Sequence, residues 1–202
     1  MVTLKSKLVW LVLLLPLLLM ANQEKADQLM REISTRYETI ETFEADFTQA
    51  NSWAAMDSGI ESNGKIYYDQ SNLIMRYQAP EVQIMKVTDE EITVFSSTSN
   101  QMMISKNNDI SLKPLELLKQ YWDISTIYLQ ENTDGYKVKL QYEGGRVEAN
   151  IIDSLIYDII LYDVSGNSVK YHFSNMKINK ELPENIFQVE VDDSVEILDM
   201  SK

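Results

Sequence analysis

At 202 residues, with a formal net charge of −13 and no cysteine, the chain is long enough for one domain with a substantial core and needs no covalent staple. The missing cysteines exclude a disulfide framework and thiol catalysis, and together with a single histidine they exclude the usual zinc sites. The acidic balance keeps such a chain in solution and argues against nucleic acid as a partner and against electrostatic docking on an acidic membrane.

The first element read along the chain is a leader. Lys5 and Lys7 precede an apolar run from Leu8 to Ala21, interrupted by Pro16 and ended by Asn22, Gln23 and Glu24. The run is shorter than the roughly 20 residues a membrane-spanning helix needs, so residues 1–21 are expected to be a signal peptide. Ala21 suits the position before a cut, although Leu19 is larger than that site prefers. Cleavage removes two lysines and no acid, taking the net charge from −13 to −15. Without a cysteine to carry a lipid, residues 22–202 are expected to form one unanchored, exported domain.

From Glu24 to Ile40 the apolar residues Ala26, Leu29, Met30, Ile33, Tyr37 and Ile40 recur at steps of three and four, which predicts an amphipathic helix. The period then changes to two: Phe43, Ala45 and Phe47 alternate with Glu44, Asp46 and Thr48, as in a half-buried strand. Strand-like runs follow at residues 65–69, 73–77, 83–88, 92–96, 102–105, 126–130, 136–142, 146–152, 156–163 and 168–174. A second helix over Leu115 to Trp122 is entered through Pro114, and Phe187 to Val191 reads as a last extended piece. Asn63-Gly64, Asp134-Gly135, Gly144-Gly145 and Ser165-Gly166-Asn167 supply hairpin turn residues between runs. Short strands joined this way predict an antiparallel meander. Lys65–Tyr68, Leu73–Tyr77 and Ile156–Tyr162 are apolar on both faces and must be covered on both. The predicted fold is α+β and mainly antiparallel β, a strongly curved sheet wrapped around short helices, which could cover these strands together with a ligand.

Chemistry-bearing residues are scarce. The single histidine, His172, alternates with Tyr171 and Phe173 and is expected to face solvent. No nucleophile-elbow or phosphate-cradling glycine loop is present, and Asp89-Glu90-Glu91 and Asp192-Asp193 read as solvated turns. No catalytic residue, metal site or cofactor is predicted. The methionines Met75, Met85, Met102 and Met103 lie in or beside strands and could adapt to an irregular apolar ligand. Periodicity alone does not separate a ligand cavity from a packed core.

The segment Ile40-Glu41-Thr42-Phe43-Glu44-Ala45-Asp46-Phe47-Thr48-Gln49, after a helix that itself follows a leader, resembles the first strand of the LolA family of periplasmic lipoprotein carriers. The resemblance continues through Asn63-Gly64-Lys65-Ile66-Tyr67-Tyr68, Asn72-Leu73-Ile74-Met75-Arg76-Tyr77, Ala79-Pro80, Tyr162-Asp163-Val164-Ser165-Gly166-Asn167 and Asn179-Lys180-Glu181-Leu182-Pro183. It implies an incomplete, half-open β-barrel capped by helices. It also implies a monomeric periplasmic carrier that shields the acyl chains of lipoproteins on their way from an inner-membrane release complex to an outer-membrane acceptor. Strand phase within this fold nominates Phe47, Tyr68, Met75, Tyr77, Met85, Val94 and Leu140 as the apolar lining. Where many members carry Arg-Pro this chain has Gln70-Ser71, which leaves Arg76 as the candidate lid contact. The alternative is a periplasmic lipid-binding sensor or protein-interaction module built on the same fold.

Overall fold

A computed structural model describes residues 23–201; the expected leader lies outside them. Helix α1, residues 23–38, follows the predicted periodicity and buries Ala26, Leu29 and Ile33. Its end is pinned by Asn179, whose side-chain oxygen accepts from the Glu41 amide at 2.7 Å while its amide nitrogen donates to the Thr39 carbonyl at 2.7 Å. The chain then forms β1 (Phe43–Trp53), a 3-10 turn (Ala54–Met56), β2 (Ser58–Tyr68), β3 (Asn72–Ala79), β4 (Gln83–Thr88), β5 (Glu91–Ser96) and β6 (Gln101–Lys106). Helix α2 (Pro114–Trp122) leads into β7 (Thr126–Asn132), β8 (Gly135–Tyr142), β9 (Gly145–Ile152), β10 (Leu155–Asp163), β11 (Ser168–Ile178) and β12 (Glu196–Met200).

The twelve strands of the described residues join one open sheet in the order β12-β6-β5-β4-β3-β2-β1-β11-β10-β9-β8-β7. The fold is thus α+β, a curved and mainly antiparallel sheet carrying α1 and α2. Two meanders, β1–β6 and β7–β11, are joined where β1 pairs with β11. Helix α2 buries Leu115, Leu118 and Trp122 against β8, β9 and β10. Helix α1 lies on the same half: the Tyr37 hydroxyl accepts from the Ile156 amide, and Lys25 pairs with Glu131 and sits over the Tyr136 ring.

Four local expectations are corrected. Asn63-Gly64 is no hairpin turn but a register shift inside β2, and the β1–β2 reversal falls at the 3-10 turn, with Asp57 left-handed at φ 45°. Gly64 is required there because a Cβ would stand 2.1 Å from the Arg76 carbonyl oxygen, and its bare position lets Phe47 and Tyr77 meet edge to face at 4.9 Å. Phe187 to Val191 forms no strand; the final strand is β12, running parallel to β6. The second face of β2 and β3 is covered by the chain's own C-terminal segment rather than by a helix: Leu182, Ile186, Phe187 and Val189 pack on Tyr67, Ile74 and Ile84 there. In β10 a register shift between Ile156 and Asp158 turns both Ile156 and Ile159 inward, which a strict two-residue period does not allow.

Candidate functional site

The concave, helix-bearing face divides into two unequal parts. Over β7–β11 it is closed by α1 and α2, and Val138, Leu140, Val147, Ala149 and Ile151 are buried there. Over β3–β6 the cover thins. One cross-strand row runs Ile66–Met75–Met85–Val94–Met103–Leu198 through successive register partners from β2 to β12. Register partners point to the same face of a sheet, so the row is a continuous apolar track. Ile66 and Met75 are buried, Met85 and Val94 are half-buried or nearly so along the same line, and Met103 and Leu198 are 43% and 37% exposed. The track therefore begins in the core and ends in the open at the sheet edge.

All seven residues nominated from strand phase lie on this face. Phe47, Tyr68, Met75, Tyr77 and Leu140 are buried in the main core, Phe47 against Tyr77 and Tyr68 stacked on Phe43 at 4.6 Å. Met85 and Val94 belong to the half-covered part of the track. Arg76 is not directed toward the helices: strand alternation sends it to the convex face, where it donates to the carbonyls of Ile186 at 2.8 Å and Gln188 at 2.7 Å. The segment it holds is the C-terminal one. At the open end of the track, Leu198 was not nominated and Met103 was named only among the methionines that could adapt to a ligand, not as lining. Leu198 belongs to a strand with every residue exposed, so only the pairing of β12 with β6 reveals its place.

Burial governs the ionisation of the phenols facing the core. The Tyr77 hydroxyl donates to Gln49 Oε1 at 2.7 Å, and burial holds its pKa far above the ordinary phenol value. Burial does the same to Tyr68, whose hydroxyl has no hydrogen-bond partner among the described residues. Tyr37 is pushed up to about 12. Over β9–β11 the convex face carries a polar cluster by contrast. Asp158 joins His172 Nδ1 at 3.0 Å and Asn150 at 2.9 Å. The His172 side chain is 43% exposed, as its strand phase predicted.

A second concavity, of about 290 Å³, opens at the end of the sheet where β1 and β10 finish and β11 starts. Trp53, Tyr121, Tyr142, Leu161 and Val169 make its apolar walls, and Asn51 and Asp163 stand among its polar lining. Tyr121 and Tyr142 lie 5.0 Å apart between ring centres. The Asp163 carboxylate accepts from the Asn167 side chain and from the amides of Ser165 and Asn167, bonds that lower its pKa, with the Asn167 side chain the largest cause.

The family model described as outer membrane lipoprotein carrier protein LolA matches residues 38–190. No curated protein matches the chain. Among solved structures, an uncharacterized conserved protein from Thermus thermophilus shares the fold, with a TM-score of 0.57 at 14% identity over 87% of this chain and 99% of that one. A LolA superfamily protein from Nitrosomonas europaea aligns with a TM-score of 0.43 at 13% identity, over 81% of this chain and 97% of its own. A putative outer membrane lipoprotein-sorting protein domain from Vibrio parahaemolyticus aligns with a TM-score of 0.42 at 8% identity, over 78% and 95%.

Proposed function

The chain belongs to the LolA family of outer membrane lipoprotein carrier proteins, and on that premise we propose that it is a periplasmic carrier that shelters lipoprotein acyl chains against the open half of its concave face. The observation that carries this reading is the apolar track from Met75 to Leu198, which emerges from the core and ends exposed. Burying a methylene is worth about 0.8 kcal/mol, so an acyl chain of about 14 methylenes laid along such a face would gain roughly 11 kcal/mol before ordering costs. Met85 and Met103 suit that task because their unbranched thioethers repack around chains of different shape. Carriage of this kind needs no nucleophile; direction comes from the relative affinities of an inner-membrane donor, this carrier and an outer-membrane acceptor.

The test is native mass spectrometry of the protein with a triacylated lipoprotein in the absence of detergent. A one-to-one complex that is missing with the unacylated form is expected. Met103→Asp is the discriminating variant because its exposed position spares the fold, whereas Met75 is only 2% exposed and its replacement by Asp would damage the core. Loss of the complex in the Met103 variant at unchanged melting temperature supports the track as the acyl site. Full retention of the complex would refute it.

A further inference from the structure

The end of the sheet that holds the second concavity sets carboxylates beside exposed apolar side chains. Three connections meet there beside pocket walls, and each pairs an exposed apolar side chain with a carboxylate. After Trp53 come Met56 and Asp57; after Tyr121 come Asp123 and Ile124; beside Leu161 come Asp163 and Val164. Met56, Ile124 and Val164 are 66%, 65% and 76% exposed. The β3–β4 connection at the same end repeats the pattern with Glu81 and Val82, the latter 51% exposed. Residues 54–57, 80–82, 97–100, 123–125, 143–144, 163–167 and 191–195, which connect elements at this end, contain no lysine or arginine. The opposite end has carboxylates too, Asp69, Asp89, Glu90, Asp109 and Asp134 among them, but mixes them with Lys113 and Lys180 in its connections and Lys106 at the finish of β6, whereas Arg146, at the start of β9 beside the concavity, lies 3.6 Å over the Tyr162 ring and pairs with Glu148.

We propose that this end is a docking site for a protein partner that inserts one apolar side chain into the concavity and surrounds it with lysine or arginine. Charge complementarity selects that occupant. An apolar anchor in a pocket ringed by polar contacts is the usual energetic layout of a protein interface, and the carboxylates set the sign of the partner. An anionic bilayer would meet Asp57, Asp123 and Asp163 together with a net charge of −13, and is repelled. A volume of about 290 Å³ sits at the lower edge of the roughly 300–1,000 Å³ typical of small-molecule sites, and suits a single side-chain anchor. The site lies apart from the Met85–Leu198 track, so the proposal stands or falls independently of the carrier reading.

The experiment is a titration of the isotope-labelled protein with a synthetic leucine–lysine amphipathic peptide and with the same peptide carrying glutamate for lysine, followed by amide chemical shifts at about 150 mM salt, where free surface attraction is largely screened. The cationic peptide is expected to shift residues 53–57, 121–125 and 163–169 and the acidic one to shift none of them. A triple variant, Met56→Ser, Ile124→Ser and Val164→Ser, keeps every charge and alters only exposed positions; it is expected to weaken binding at least about tenfold, the loss of a modest apolar contact set. Shifts spread over the whole acidic surface, equal affinity of the triple variant, no binding at millimolar peptide, or equal occupation of the rim by phosphatidylglycerol vesicles would each overturn the proposal.

Discussion

Arg76 holds the C-terminal segment on the convex face, and Arg76→Met tests that role while keeping most of the hydrophobic stem. Its guanidinium donates to two carbonyls, Ile186 at 2.8 Å in a partly buried setting and Gln188 at 2.7 Å nearer solvent. A hydrogen bond from a charged group contributes about 1.5–3 kcal/mol when protected. Discounting the exposed one leaves about 2–3 kcal/mol for the pair. The segment carries Leu182, Ile186, Phe187 and Val189 onto Tyr67, Ile74 and Ile84 and leads into β12, so the loss should appear as local opening of residues 182–200. At about 1.4 kcal/mol per tenfold change, amide exchange there should accelerate roughly 30- to 150-fold, while β1 and β11 keep their protection. Arg76→Lys should recover about half the effect, since lysine keeps the charge and the donors but ends short of the position of Nη2, the one nitrogen that donates to both carbonyls. Protection of residues 182–200 in Arg76→Met within about threefold of the parent would refute the reasoning.

Gly64→Ala places a Cβ against the Arg76 and Tyr77 backbone, and should cost roughly 2–4 kcal/mol in urea unfolding; a change below about 0.5 kcal/mol would contradict the close approach of β2 and β3. Tyr68→Phe removes a buried hydroxyl that has no partner among the described residues and should raise stability by about 1 kcal/mol, an increase that a melting curve detects and a decrease would refute. Tyr37, pushed up to about 12, and Tyr68 and Tyr77, raised further by burial, stay protonated in the folded protein above the ordinary phenol value, where the unfolded chain ionises. Their contribution is intact below about pH 10 and is lost as pH rises through the folded values, at about 1.4 kcal/mol per pH unit for each phenol. Urea midpoints at about pH 9, 10 and 11 should therefore fall progressively, and a flat profile would argue against burial of these hydroxyls.

Much of the architecture was legible because each half-buried element keeps its own period. The three- and four-residue spacing of Ala26, Leu29 and Ile33 gives α1, and the alternation of Phe43, Ala45 and Phe47 gives β1. The failures have local physical causes. Asn63-Gly64 has the composition of a hairpin turn, but its glycine serves a close approach between strands. The strand β12 has no buried residue, so no alternation marks it, and its stability comes from pairing with β6. The apolar lining was legible as a face but not as a site: strand phase assigns Met75 and Met85 to the same side equally well, and only the positions of the two helices decide that one is sealed and the other half-open. Met103 and Leu198 become neighbours only through a parallel pairing that no short-range pattern announces.

The seam between the two meanders bears on how the protein is made. Hairpins within β1–β6 and within β7–β11 join neighbours in sequence and can form early, whereas the β1–β11 ladder joins Phe43 to Ile178 and Ser52 to Ser168, across most of the chain. Contacts of that separation form late. Until they do, the nascent protein consists of two half-sheets, each presenting an unpaired strand and an unsealed apolar surface, a form prone to edge-to-edge association. The polar pairs that bridge the seam, Glu44 with Lys177 at 2.9 Å and Asp46 with Asn175 at 2.7 Å, lie on its solvent side, where they favour the correct partner edge over a neighbouring molecule. Sequence changes along this line would thus be felt first as poor recovery of folded material.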